Sequence, residues 1–60
     1  MQFILIYKNK KTGEHRRHTL DTPEIKSREL TKKQKDFITR NALFLKRNDE
    51  IYTGYNVKEN

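Results

Sequence analysis

Sixty residues with fourteen Lys and Arg against eight Asp and Glu carry a formal charge of +6, a predicted pI near 9.8 and no cysteine. That length allows one small domain over residues 1–60, of a size that buries only about 60% of the surface its unfolded chain exposes. Disulfide staples and CxxC zinc frameworks are excluded, and an apolar run of residues 3–7 (FILIY) falls far short of the roughly 20 residues of a membrane span.

The start of the chain lacks the basic segment and long apolar segment of a signal peptide, which predicts a cytoplasmic protein, in the host cytoplasm if it is phage-encoded. Residues 2–8 are rich in β-branched and aromatic side chains on both parities, the pattern of a central strand. NKKTG follows, and Gly13 suits the left-handed position that closes a type I turn with a bulge. The turn predicts a hairpin with a second strand over 14–20. With Lys10 opposite Glu14, Ile4 would lie opposite Leu20 and Ile6 opposite His18, whereas a one-residue slip would exchange the faces.

LDTPEIKSREL is expected to connect through a short helical turn, with Thr22 as cap and Pro23 at the first helical position. A helix is predicted over 32–47, opened by Thr31 and Gln34 at capping-box spacing. Leu30, Phe37, Ile38, Phe44 and Leu45 share one face of it, and Lys32, Lys35, Thr39 and Lys46 the other. Lys46 and Arg47 suit the negative end of its macrodipole, and Asn48 is the expected left-handed stop. Asn41 falls within the apolar face and needs a hydrogen-bond partner there, while Leu43 falls among the charged residues.

Residues 51–57 form the third predicted strand, with Ile51, Thr53, Tyr55 and Val57 on one side and a bulge suggested by Gly54. Residues 58–60 are expected to fray. The predicted fold is α+β: a three-stranded antiparallel sheet of order 2-1-3, with one amphipathic helix packed on one face, in the succession ββαβ.

EHRRHT, residues 14–19, holds both histidines of the chain. Strand alternation sends His15 and Arg17 to one face and Arg16 and His18 to the other, so the histidines do not converge as an acid–base pair. Two histidines without thiols also make a poor metal set, and no cofactor or metal is expected. One helix covers one sheet face. With Ile4, Ile6 and Leu20 assigned to the helix side, Phe3, Leu5 and Tyr7 beside His15 would line an open face, as a stacking platform for bases or a partner surface.

The positive excess lies in the hairpin and helix, at Lys8, Lys10, Lys11, Arg16, Arg17, Lys32, Lys33, Lys35 and Arg40. Such groups suit a phosphate-tracking surface. The leading expectation is a small, non-enzymatic nucleic-acid-binding module. A second is an interaction protein of phage or mobile-element type that inhibits a host protein, or self-associates as a homodimer, through the open sheet face. The second draws on the surplus apolar strip that one helix leaves uncovered; a composition rich in Lys, Asn, Ile and Tyr, a bias common in AT-rich genomes such as those of many phages, accompanies it. A third is a compact ribonuclease using His15 or His18 with nearby arginines.

Overall fold

The computed structural model describes residues 1–58. Of the segment expected to fray, Lys58 ends a strand, and residues 59 and 60 lie outside the described residues. Strand β1 spans Gln2–Asn9, β2 His15–Asp21, helix α1 Lys32–Leu45 and β3 Glu50–Lys58. The strands form one antiparallel sheet of order β2-β1-β3, so the most apolar strand is central and the α+β, ββαβ architecture is the one expected. Among the described residues, no helix is long and apolar enough to cross a membrane.

The hairpin departs from expectation by one residue. Asn9 Oδ1 accepts from the backbone N–H of Lys11 at 2.8 Å and of Thr12 at 3.0 Å, and Asn9 N–H donates to the Glu14 carbonyl at 2.8 Å. The Asn side chain thus makes Lys10 a loop residue instead of a strand partner of Glu14. Gly13, at φ 77°, takes the expected left-handed position. Strand pairing then sets Lys8 opposite His15, Ile6 opposite Arg17, Leu5 opposite His18 and Phe3 opposite Leu20.

That shift exchanges the sheet faces. Phe3, Leu5 and Tyr7 are fully buried beneath α1, with Ile25, Ile38 and Ala42 completing the core. Ile4 and Ile6, expected on the helix side, lie half-buried on the other face. Phe3 also meets Tyr55 edge to face at 5.6 Å between ring centroids, a favoured aromatic geometry. The aromatic rings therefore sort to the helix side, where they fill more volume than isoleucines would.

β3 contains the expected irregularity. Ile6 pairs with Gly54 and Tyr7 with Tyr52, so Thr53 is an extra residue between two paired positions. Gly54 has φ 148°, a conformation that side chains disfavour. Val57 and Tyr55 share the core side, but Tyr52 joins them while Ile51 and Thr53, expected on the same side as Tyr55 and Val57, are exposed.

The connection from β2 to α1 forms a single turn, closed by Ile25 N–H on the Thr22 carbonyl at 3.0 Å. The Thr22 hydroxyl, expected to cap a helix, instead donates to the Met1 carbonyl at 2.8 Å. The Met1 nitrogen in turn donates to the carbonyls of Thr22 at 2.8 Å and Ile25 at 2.9 Å. These bonds seat Ile25 in the core.

Helix α1 begins with the predicted capping box: Gln34 N–H donates to Thr31 Oγ1 at 3.1 Å, and Thr31 N–H to Gln34 Oε1 at 2.9 Å. Its buried stripe runs through Ile38 and Ala42, with Leu30 and Leu45 packed beside it. Phe37 and Phe44, expected inward, are 44% and 86% exposed. The methyl of Ala42 lets the helix settle on Tyr7, whose hydroxyl donates to the Ala42 carbonyl at 2.6 Å. Asn41 meets its requirement by donating to the Phe37 carbonyl at 2.8 Å.

The helix stops at Leu45, two residues earlier than predicted, and Lys46 is extended at φ −67°, ψ 138°. Asn48 has no positive φ, so it is not the left-handed stop. The final carbonyl of the helix is satisfied from the sheet. Arg16 donates to the Leu45 carbonyl at 3.2 Å while binding both oxygens of Glu50, at 2.7 and 2.8 Å. Its guanidinium lies 4.5 Å from the centroid of the Tyr7 ring, and Glu50 also accepts the Arg47 N–H at 2.9 Å.

Glu50 is 5% exposed, and the Arg16 hydrogen bonds, aided by the Arg47 N–H, pull its carboxyl down to a pKa of about 2 from an ordinary 4.5. A carboxyl depressed in the folded state stabilises fully above its unfolded value, and that contribution disappears as pH falls through the folded value. Urea midpoints should therefore drop between about pH 4.5 and about pH 2, and Glu50→Gln should be less stable at neutral pH with a flatter acid profile. An acid profile as steep in Glu50→Gln as in the parent would contradict this coupling.

Candidate nucleic-acid interface

The strand register builds the helix-free face in four rows across β2, β1 and β3: Asp21–Gln2–Lys58, Thr19–Ile4–Asn56, Arg17–Ile6–Gly54 and His15–Lys8–Ile51. The hairpin loop with Lys10 and Lys11 extends from the last row, and Pro23, Lys26 and Arg28 border a groove beside the first. Lys8, His15, Arg17 and Lys58 are exposed, and Asp21 is the acidic residue among the twelve. Cations therefore stand at both ends of a face whose middle holds Ile4 and Ile6 flanked by Thr19, Asn56 and Arg17.

Two groups assigned from sequence do not belong to this surface. Phe3, Leu5 and Tyr7 are core residues, so no aromatic platform lies on the open face; Tyr52 and Tyr55 also pack against the core. Burial raises the pKa of the Tyr7 phenol, which remains the protonated donor to Ala42. Arg16 is withdrawn as a phosphate contact because its guanidinium is held by Glu50 and Leu45, and the hydrogen bond to Glu50 raises its pKa further. His15 is the member of the partner-face group that does lie on the open face.

The remaining cations form two groups. At the hairpin, Lys8, Lys10, Lys11 and Arg17 are exposed, with Lys11 3.8 Å from Asp49 in a contact open to solvent. On the helix, Lys32, Lys33, Lys35 and Arg40 are exposed. Apart from Lys11, these residues form no ion pair among the described residues. The contacts of Tyr7 with Ala42 and of Arg16 with Leu45 put the helix C-terminus at the hairpin end, so Lys32 and Lys33 lie at the opposite end. Fourteen helical residues separate these ends by about 20 Å. The helix and hairpin cations are not one patch.

His15 and His18 leave β2 on opposite faces, as strand alternation requires, with His15 exposed and His18 half-buried. No group of three His, Asp or Glu side chains that could hold a metal is found among the described residues. The sequence reading missed Gln2, Thr19, Asn56 and Lys58 on the open face. Asn9, a loop-initiating residue, was the signal that would have set the register and exposed them. Comparison of the chain with protein-family models, curated proteins and solved structures gave no match.

Proposed function

We propose that the protein is a small nucleic-acid-binding module whose hairpin and helix cations contact phosphates. The observation that carries this reading is a charge arrangement working against the fold. Lys32 and Lys33 occupy the first turn of α1, with Lys35 directly after and no acidic residue in that turn. There the macrodipole is positive, and each cation costs a few tenths to about 1 kcal/mol of helix stability. The hairpin repeats the theme, with Lys8, Lys10 and Lys11 crowded at one end and one weak ion pair between them. A polyanion relieves both repulsions by replacing condensed counterions with protein cations.

Fluorescence anisotropy with labelled nucleic acid from about 50 to 200 mM salt tests the reading, because log affinity falls against log salt by about 0.9 per phosphate contact on a duplex. Lys33→Glu should raise the unfolding free energy by about 0.3–1 kcal/mol yet weaken binding. Lys8→Ala with Lys10→Ala should flatten the salt slope by about 2. Stability gained at position 33 with unchanged affinity would identify the helix charge as a solvated surface, and no saturable binding to any probe would sink the proposal.

A second reading rests on a separate observation. Phe44 is 86% exposed and Leu43 54%, side by side at the end of α1. An apolar pair of this kind suits a protein partner, at the helix end instead of the open sheet face expected for the inhibitor or self-association alternative. Under this reading, Phe44→Asp leaves folding intact and abolishes a protein complex that survives high salt. A complex indifferent to that change would remove the helix end from consideration.

A further inference from the structure

We infer, resting on the hairpin half of the nucleic-acid reading above, that the open sheet face docks into the major groove of duplex DNA, with the helix cations on the far side of the sheet and outside that contact. Three features of the face lead there. All four aromatic residues of the strands, Phe3, Tyr7, Tyr52 and Tyr55, pack on the helix side. Single strands are held largely by stacking bases on aromatic rings, and this face offers none.

The second feature is the spacing of charge. Lys58 pairs opposite Gln2, and Lys8 stands six residues farther along β1, about 20 Å at the rise of a strand. Between these cations lie Ile4 and Ile6. A major groove is about 12 Å wide with a phosphate rim on each side, so cations at both ends reach the rims while the middle of the sheet meets the base edges. The major groove of duplex RNA is deep and narrow and closed to such a face.

The third feature is the chemistry of the middle rows. Thr19 and Asn56 flank Ile4, and Arg17 flanks Ile6. Arginine matches the acceptors of guanine, asparagine the donor and acceptor of adenine, and aliphatic groups the thymine methyl. Gly54, on the other side of Ile6, has open space where a side chain would stand, so a base edge can approach the backbone there.

The test compares one sequence as duplex DNA, single-stranded DNA and duplex RNA in equal salt, then adds groove-specific competitors. Duplex DNA should bind at least about tenfold more tightly than the other two, as one or more base-edge contacts would give. Methyl green, a major-groove ligand, should displace the protein, and distamycin, a minor-groove ligand, should not. Thr19→Glu puts a carboxylate in the middle of the face and should lower duplex affinity by at least about tenfold, from like-charge repulsion, with its thermal unfolding still cooperative. Equal binding to the three probes, displacement by distamycin alone, or a Thr19→Glu affinity within twofold of the parent overturns this inference and leaves the phosphate-binding reading standing. Binding to no nucleic acid overturns both. A dimer of the parent that Thr19→Glu splits assigns the face to a second copy and also overturns the inference.

Discussion

Arg16 joins parts of the molecule that the sheet leaves apart. β2 and β3 are the two edges and share no backbone hydrogen bond, since β1 separates them. The Arg16 guanidinium crosses above Tyr7 from one edge to Glu50 on the other and still donates to the last carbonyl of α1. A planar fork with several donors can do this, whereas a lysine would deliver one point charge on a flexible stem. Three strands and the helix end are thereby fixed by one side chain, and the buried Glu50 carboxylate is not left without hydrogen bonds.

The same arrangement divides the charges by role. With one arginine enclosed, the other cations of the hairpin are left to solvent, while the aromatic rings are drawn under the helix. A chain of this length has a single helix to cover a two-sided sheet, so one face stays open. That face is aliphatic and polar, not aromatic.

Features with local causes were legible in the sequence. The capping box at Thr31 and Gln34, the left-handed Gly13 and the irregularity at Gly54 follow from nearby residues, and the strand order from the apolarity of β1 on both faces. The sheet face was not, because it depends on whether Lys10 belongs to the loop, and a shift of one residue exchanges every side chain. The fate of Arg16 was hidden for another reason. Its partner Glu50 lies 34 residues away, and a basic side chain beside a turn reads as exposed until that partner is in place. The helix end failed similarly: Lys46 and Arg47 resembled its electrostatic stop, but the cation that reaches it comes from β2. For the candidate interface, Lys8, Lys10, Lys11 and Arg17 survived the change of face because exposed hairpin cations stay near the loop in either register.

Thr53 works as a change of counting frame. Along an uninterrupted strand, residues of one parity share a face, yet Glu50 and Tyr52 face the core with Tyr55 and Val57. The odd residue between the pairs converts even to odd. Were Thr53 itself paired in an unbulged strand, keeping Tyr55 and Val57 inward would turn Glu50 outward and strip Arg16 of its partner, freeing a cation on the helix side. The bulge at Thr53, whose hydroxyl donates to the Ile6 carbonyl at 3.1 Å, therefore determines whether position 16 belongs to the interior or to the charged exterior.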